Sequence, residues 1–268
     1  MEQFTIDALE QIRSRSVLVH SITNLVVMST TANILLAVGA SPVMAHAFEE
    51  VEEMTARADA LVLNIGTLEQ SWLESMIAAG RRANAEGIPV ILDPVGAGAT
   101  AFRSASARRI MDECRISVLR GNASEVLSLA SSEVETRGVE SSISMQDHMV
   151  PAVQDMALAE GCVVAVSGEH DCVTDGRRVF RIKNGQSLMT RITGIGCGLS
   201  ALAAAFCGVL RESFAEATAA AHGYYGLCGD LAITVSDRPG SFYSAFLDRL
   251  YATGKEEINN SLKVEIFD

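Results

Sequence analysis

A glycine-rich segment with one cysteine stands immediately before a long uncharged stretch. It reads Thr-Gly-Ile-Gly-Cys-Gly over residues 193–198 and leads into residues typical of a helix. Glycines let a backbone approach an anion closely, and the free N–H groups of a helix N-terminus point at such an anion. The same position predicts a pKa of Cys197 lowered toward the thiolate. Alternatively, Cys197 is a small buried apolar residue, and the Gly194-x-x-x-Gly198 spacing only lets two helices pack closely.

Asp93 lies at the end of another short apolar run. It follows residues 90–92, which predict a strand, and precedes a Pro-Val-Gly-Ala-Gly turn at 94–98. Ligands of open α/β sheets bind outside the carboxyl ends of the strands, and a carboxylate placed there can hold Mg²⁺ directly or through water. The alternative is that Asp93 only caps the turn or the next helix.

Arg120 follows the apolar run 116–119 and begins a polar segment. Its guanidinium is suited to clamping a phosphate. Two residues later, Asn122 predicts a helix N-cap with Glu125 as its capping partner, which gives both residues a structural role.

Ser167, Asn24 and Met44 end or follow three further predicted strands. Ser167 is either a ligand contact or an ordinary turn residue. Asn24 either caps the first long helix or reaches a ring nitrogen or hydroxyl of a ligand, and Met44 offers a soft apolar contact to a flat heteroaromatic ring. Each alone fits a structural role, but together the strand ends bring polar or glycine-rich turns to one side of one sheet.

The hydrophobic pattern predicts the sheet that these residues need. Short apolar runs typical of strands alternate with helix-length segments, which indicates an α/β domain with a mainly parallel sheet. The predicted strands are 17–20, 42–44, 60–65, 89–92, 116–119 and 163–167, and the helices between them are 24–38, 68–86, 101–113 and 147–160.

The pattern changes after residue 167. Two short runs flank Asp175-Gly176, the pair that a tight type I′ turn favours, so an antiparallel hairpin is expected at the edge of the sheet. Further helices are predicted at 195–210, 214–235 and 241–251, and a last strand at 262–267. The serine-rich stretch 131–144 is expected to be a surface excursion. No linker divides the chain, so residues 1–268 are predicted to form one domain.

Charge and cysteine content argue against several kinds of partner. The chain has 268 residues, with 21 Lys and Arg against 33 Asp and Glu, and its formal net charge of −12 disfavours nucleic acid and anionic membranes. The uncharged stretches 25–45 and 192–210 are interrupted or too short to cross a bilayer. Residues 1–15 predict an amphipathic helix rather than a secretory signal. Six cysteines without a C-x-x-C pair indicate free thiols and a cytoplasmic location.

The order of the motifs along nearly the whole chain resembles the hydroxyethylthiazole kinase family of the ribokinase-like superfamily. The motifs that carry the resemblance are His-Ser-Ile-Thr-Asn (20–24), Asn-Ile-Gly-Thr-Leu (64–68), Asp-Pro-Val-Gly-Ala-Gly (93–98), Gly-Asn-Ala-Ser-Glu (121–125), Ser-Gly-Glu (167–169) and Thr-Gly-Ile-Gly-Cys (193–197). The resemblance implies a three-layer α/β/α domain assembled as a homotrimer with sites shared between subunits. It also implies ATP- and Mg²⁺-dependent phosphorylation of the primary alcohol of 4-methyl-5-(2-hydroxyethyl)thiazole, in thiamine salvage.

Roles for eight residues follow from the same resemblance. The thiazole is expected near Asn24, Met44 and Gly194, ATP near Arg120 and Ser167, Mg²⁺ at Asp93 and Glu125, and the reacting hydroxyl opposite Cys197. Ser167 stands where many relatives carry threonine, which keeps the hydroxyl. Cys197 stands where the broader superfamily has an aspartate base, and a thiol is a weaker proton acceptor at pH 7. Cys197 is therefore expected to be a catalytic residue that orients the alcohol and assists removal of its proton.

The sequence is also consistent with two other functions. One is a kinase for another small heterocyclic alcohol, such as hydroxymethylpyrimidine. The other is a non-catalytic thiazole-binding protein, which a thiol in place of a carboxylate would suit. A nicotinamide-dependent enzyme is disfavoured because no G-x-G-x-x-G follows the first strand. The weakly charged helices 24–38 and 214–235 are expected to expose apolar surface for a subunit interface.

Overall fold

Strands and helices alternate along most of the chain in the computed structural model, which describes residues 1–130 and 145–267. The strands are β1 (Leu18–Ile22), β2 (Ser41–Val43), β3 (Ala60–Asn64), β4 (Val90–Asp93), β5 (Val118–Asn122), β6 (Val163–Ser167), β7 (Asp171–Thr174), β8 (Val179–Ile182) and β9 (Val264–Phe267). The helices are α1 (Glu2–Arg15), α2 (Met28–Val38), α3 (Val51–Thr55), α4 (Gln70–Glu86), α5 (Ala101–Glu113), α6 (Ala123–Leu127), α7 (Met145–Glu160), α8 (Ile195–Val209), α9 (Phe214–Ile233), α10 (Pro239–Ala252) and α11 (Lys255–Ser261), with a 3₁₀ turn at Ser187–Arg191.

The described strands form one sheet in the order β2-β1-β3-β4-β5-β6-β7-β8-β9. The pairs from β2 to β6 are parallel, and the pairs from β6 to β9 are antiparallel. Parallel strands end at the same edge, so the segments that follow β1, β3, β4, β5 and β6 meet there.

Helices cover both faces of the sheet, which gives the three layers expected from the resemblance. Along β3, Ala60 and Val62 belong to one hydrophobic cluster, and Leu61 and Leu63 belong to the other. This alternation is the period-two pattern of a strand that is buried on both faces. Helices α1, α2 and α8 to α11 pack on the first face, and α3 to α7 pack on the second.

The structure confirms the predicted order of strands and helices, including the last strand and the N-terminal helix. The prediction of a type I′ turn is wrong. Thr174 pairs with Val179, so the connection has the four residues 175–178, and Gly176 is the only one of these with a positive φ, at 88°. The Asp175 carboxylate instead accepts the N–H groups of Arg177 and Arg178, which closes a wider turn. The predicted surface excursion at 131–144 lies outside the described residues.

Two further expectations about helices change. The first long helix begins at Met28 rather than at residue 24, with no side-chain cap. The helix α9 is almost entirely buried by its own chain, so it does not expose the expected apolar face. Of that predicted segment, the large apolar side chain left exposed is Val235, just beyond the end of α9. No helix within the described ranges is long and apolar enough to cross a membrane.

Candidate active site

The carboxyl edge of the parallel sheet brings the predicted site residues together. The register sets Asn64 at the end of β3 opposite Asp93 at the end of β4, and Asn122 at the end of β5 opposite Ser167 at the end of β6. Polar groups on adjacent strand ends therefore lie side by side at the edge where α/β proteins bind ligands.

Asp93 is a buried carboxylate with two neutral donors. Its Oδ2 accepts the Asn64 Nδ2 hydrogen at 2.8 Å and the Ser200 hydroxyl hydrogen at 2.7 Å. Burial raises the pKa of Asp93 to about 6, and the nearby Arg120 charge opposes that rise. The carboxylate is therefore not a simple turn or helix cap, because the side chains that hold it come from β3 and α8.

Cys197 lies beside this carboxylate, in the first turn of α8. Asn24 Nδ2 donates to Asn64 Oδ1 at 2.9 Å and lies 3.5 Å from Cys197 Sγ, so a hydrogen-bonded chain runs from the thiol through two asparagines to Asp93. The expected lowering of the thiol pKa is wrong: burial, followed by the negative charge of Asp93, raises the pKa of Cys197 to about 11.

The glycines of the 193–198 segment have different structural roles. Gly194 is the N-cap of α8 with φ 88°, and a Cβ there would lie 3.0 Å from the Thr30 side chain. Gly198 meets the packing expectation, because a Cβ there would overlap Ile34 of α2 and lie 3.0 Å from the Tyr225 hydroxyl. The first bond of the α8 ladder is from the Gly198 N–H to the Gly194 carbonyl, so the three preceding N–H groups lie at the free end of the helix.

Arg120 connects this helix end to the end of β6. Its Nη1 donates to the Gly196 carbonyl at 2.9 Å, its Nη2 donates to the Ser167 hydroxyl, and its buried Nε has no partner among the described residues. All three residues line a cavity of about 710 Å³, whose wall continues into the segment 184–190 and the helix α9. Arg120 and Ser167 are thus brought together, and both face a space of ligand size.

Glu125 has the capping role that its spacing predicts. Its Oε2 accepts the Asn122 N–H at 2.9 Å, and the Asn122 side chain accepts the Glu125 N–H at 3.0 Å. Its Oε1 accepts the Gly96 N–H at 2.9 Å, which ties the turn after Asp93 to the start of α6. Its negative charge contributes to the raised pKa of Asp93.

The residues expected at the substrate end are connected through His46. Its Nδ1 lies 2.9 Å from the Met44 carbonyl, and its Nε2 lies 3.1 Å from the carbonyl of Thr23, the neighbour of Asn24. The His46 ring also packs against Trp72, with 4.3 Å between ring centroids. Asn24 is not a helix cap. Its side chain is buried toward Asn64 and Cys197 instead.

Three residues that contact the site carry no role in the sequence prediction. Asn64 had a signal, because it ends a predicted strand and opens one of the motifs of the resemblance. Ser200 lies one turn after Cys197 on α8, so the α-helical period places it on the same side. His46 lies two residues after Met44 in a segment with no periodic pattern, and no sequence signal points to it.

The fold is that of the ribokinase-like class. A ribokinase-like superfamily protein from Enterococcus faecalis V583 shares the fold, with a TM-score of 0.64 at 15% identity, over 93% of this chain and 95% of that one. A structure of hydroxyethylthiazole kinase protein from Pyrococcus horikoshii OT3 superposes with a TM-score of 0.90 at 42% identity, over 99% of this chain and 100% of that one.

Sequence comparison gives the family. A hydroxyethylthiazole kinase of Desulfotalea psychrophila is 51% identical over 257 residues, which cover 96% of this chain and 93% of the relative. The model of the hydroxyethylthiazole kinase family matches residues 9–256. The chain belongs to the hydroxyethylthiazole kinase family. It is therefore a phosphotransferase that uses ATP as co-substrate and a small-molecule alcohol as acceptor.

Proposed function

We propose that this protein transfers the γ-phosphoryl group of ATP to the primary alcohol of 4-methyl-5-(2-hydroxyethyl)thiazole, in thiamine salvage. The observation that carries the proposal is the hydrogen-bonded chain from Cys197 to the buried Asp93, set beside Arg120 at one sheet edge in a member of this family. A thiol, a carboxylate and a guanidinium at one edge suit an alcohol, a cation and a phosphate, respectively.

The thiazole is proposed to bind at Asn24, Met44 and Gly194. The Asn24 amide is held by Asn64 next to the thiol, so it presents a fixed polar group at the point where the alcohol must lie. The Met44 thioether supplies a polarizable contact for the flat ring. At Gly194 the proposed contact is made by the backbone at the N-cap of α8.

Cys197 is proposed to orient the alcohol. With its pKa raised to about 11, the sulfur is a weak proton acceptor at neutral pH, so the proposed role is to position the alcohol rather than to assist removal of its proton. The alcohol oxygen forms the new bond to phosphorus as the bond from phosphorus to the ADP oxygen breaks, and the alcohol proton leaves late, to a phosphoryl oxygen or to water. A loose transition state of this kind depends more on positioning and charge neutralisation than on early deprotonation.

The triphosphate is proposed to bind against Arg120, Ser167 and the N-terminus of α8. Arg120 already holds the first turn of the helix through Gly196, which fixes the guanidinium next to the N–H groups of that turn. Both carry positive charge toward the same cavity in a protein whose net charge is −12.

Mg²⁺ is proposed at Asp93 and Glu125. The residues fit the ion, because both are carboxylates, and a cation beside Asp93 would offset the burial and the nearby Glu125 charge that raise the pKa of Asp93. Within the described part of the chain no group of three or more His, Cys, Asp or Glu residues could hold a metal. Two carboxylates with water and phosphate oxygens as the remaining ligands are the usual arrangement for Mg²⁺ in phosphotransferases. When bound, the ion neutralises charge on the transferring phosphoryl group.

The working molecule is proposed to be a cytoplasmic homotrimer of single-domain subunits. Leu25 and Val26 follow directly after Asn24 and are 64% and 67% exposed. These two exposed apolar side chains are adjacent in sequence to a proposed thiazole-binding residue, and a neighbouring subunit is proposed to cover them. The described cysteines are all free, as a reducing compartment requires.

The deciding experiment measures ATP consumption by the purified protein with Mg²⁺ and hydroxyethylthiazole, and identifies the product by mass. We expect a product 80 Da heavier than the thiazole alcohol, the mass of one added phosphoryl group in place of a hydrogen, at about one per ATP consumed. Hydroxymethylpyrimidine and a reaction without acceptor are the controls. A product with the pyrimidine alone would mean a kinase for a different alcohol. Tight thiazole binding by calorimetry with no product would mean a non-catalytic binding protein.

A further inference from the structure

The cavity that holds Arg120 and Ser167 extends beyond the proposed phosphate site. Its wall also includes Gly168 and Asp171 after β6, the segment 184–190, and residues of α9. None of these has a role in the assignments above. The volume of about 710 Å³ is within the usual range for pockets that enclose a small ligand.

One of these wall residues, His222 on α9, has an unsatisfied nitrogen. Its side chain is fully buried, and its Nδ1 lies 2.7 Å from Asp171 Oδ2. Its Nε2 is buried with no hydrogen-bond partner among the described residues. A buried polar atom without a partner is costly and is commonly a sign of a missing ligand or of a functional role.

The partner of Nδ1 determines what Nε2 can do. A carboxylate oxygen accepts, so the tautomer that fits this contact carries its hydrogen on Nδ1 and presents a lone pair at Nε2. This nitrogen therefore needs a donor. The phosphate oxygens of a nucleotide carry no hydrogen at neutral pH, whereas the ribose hydroxyls and the exocyclic amino group of adenine are donors.

The charged residues of the cavity wall favour the same orientation of ATP, with the phosphates toward Arg120 and the nucleoside toward His222. Among the described residues that line the cavity, Arg120 is the basic one, and Glu169 and Asp171 are acidic. A triphosphate is attracted to Arg120 and to the end of α8, and it is repelled by the Asp171 carboxylate beside His222. The uncharged nucleoside is the part of ATP that suits that side.

The helix α9 also shapes this part of the wall. Gly226 is one turn after His222 on the same face, and a Cβ there would overlap the Asn184 backbone. The segment that approaches so closely is held by Asp230, whose carboxylate accepts from Asn184 Nδ2 and Gln186 Nε2, each at 2.8 Å. The space next to His222 is thus built by fixed groups.

We propose that His222, held by Asp171, is a nucleotide-binding residue that accepts a hydrogen bond at Nε2 from a ribose hydroxyl or the adenine amino group. This proposal rests on the proposed function, because it assumes that the cavity takes ATP. It assigns the end of the cavity at α9 to the nucleoside and the end at Arg120 to the phosphates.

The first test changes the protein. In His222→Asn the amide nitrogen replaces Nδ1 at Asp171, and nothing replaces Nε2. We expect the Kd of a non-hydrolysable ATP analogue, measured by calorimetry, to rise about tenfold, with kcat at saturating ATP and the KM for the thiazole within about threefold of wild type. The matched control is His170→Asn, an exposed histidine next to Asp171 that does not line the cavity, and it should leave the Kd unchanged.

The second test changes the nucleotide and needs no variant. The 2′-deoxy, 3′-deoxy and 6-deamino forms of ATP each remove one candidate donor. The form that lacks the correct donor should have a KM about tenfold higher with the wild-type protein and no further penalty with His222→Asn. Equal affinity of the wild type for all four nucleotides, or unchanged analogue binding by His222→Asn, would overturn the proposal while thiazole phosphorylation stands. A wild type that binds no ATP would overturn the proposed function as well.

Discussion

At the scale of single residues, burial has a larger effect on the pKa of Cys197 than the helix N-terminus has. The helix N-terminus favours a thiolate, but the sulfur lies in a buried site next to a second negative group, and its pKa rises to about 11. At neutral pH the side chain is a thiol that can hold an alcohol without removing its proton. Its proposed contribution to the reaction is therefore one of position.

Replacing the sulfur by oxygen tests that role. We expect Cys197→Ser to keep the thiazole KM within about threefold and to lower kcat about tenfold, because the shorter C–O bond draws the polar atom away from the alcohol. Steady-state kinetics on wild type, Cys197→Ser and Cys197→Ala measure the effect, with the alanine variant slower than the serine variant. Three equal kcat values would show that the thiol has no part in the chemistry.

Asp93 makes the stability of the free protein depend on pH. Burial raises its pKa from 3.8 to about 6, so its contribution to stability is present below pH 3.8 and is lost as the pH rises through 6. Asp93→Asn keeps the shape and both donors but has no charge. We expect the variant to gain stability over the wild type between pH 4 and pH 7, by on the order of 3 kcal/mol.

Urea unfolding of both proteins across that range, without nucleotide or Mg²⁺, measures the difference. Surface carboxylates titrate in both proteins, so they cancel in the comparison. A constant difference from pH 4 to pH 7 would contradict a raised pKa at Asp93. Activity should be lost in the variant at every pH, because the proposed Mg²⁺ ligand is absent.

At the scale of elements, Gly198 sets the distance between α8 and α2. Gly198→Ala would push Ile34 and the Tyr225 hydroxyl away, and this overpacked contact should destabilise the fold by about 1–3 kcal/mol. The better helix propensity of alanine should offset less than about 1 kcal/mol of that loss. We expect a lower melting temperature by thermal denaturation.

Gly240 is the matched control for that substitution. It lies in the first turn of α10, and a Cβ there meets nothing within 4 Å. Gly240→Ala should be neutral or slightly stabilising. If both alanine variants melt at the same temperature, the close approach of α2 and α8 does not depend on Gly198.

The elements themselves are largely predictable from the sequence, and the reason is local. Apolar runs bounded by turn residues locate β3, β4 and β6, and the Asn122–Glu125 capping box marks the start of α6. The prediction of a type I′ turn fails because the Asp175 carboxylate accepts hydrogen bonds from two N–H groups of a longer loop. The dipeptide pattern contains no information about these competing hydrogen bonds.

Long-range contacts account for what the sequence does not predict. Asn24 has the sequence signature of a helix cap. Its side chain instead donates hydrogen bonds to Asn64 and Cys197, which are 40 and 173 residues away in the sequence. The raised pKa of Cys197 depends on burial by several elements. His46 joins the Met44 and Thr23 carbonyls from a segment with no pattern. Motif order locates the edge of the sheet, and only the packed chain shows which groups touch.

At the scale of the whole molecule, the exposed apolar residues next to Asn24 form the surface at which the proposed trimer is expected to assemble. On α2 and the turn before it, Leu25, Val26 and Leu36 are exposed, while α9, the other helix expected to contribute, is buried within its own subunit. An interface at this surface would place a neighbouring chain close to Asn24 of the proposed thiazole site. Assembly and substrate binding would then depend on the same residues.

A charge introduced at this surface is expected to prevent assembly without unfolding the subunit. We expect wild type to have the mass of a trimer by light scattering at micromolar concentration, and Val26→Glu to have the mass of a monomer with a thiazole KM at least tenfold higher, because a carboxylate buried in an apolar interface is costly. Val235→Glu is the matched control, since that valine is 60% exposed against 67% for Val26 and lies beyond the end of α9. It should leave both mass and KM unchanged. A monomeric wild type with full activity, or a trimeric Val26→Glu, would remove this surface from the assembly and leave the thiazole site complete within one subunit.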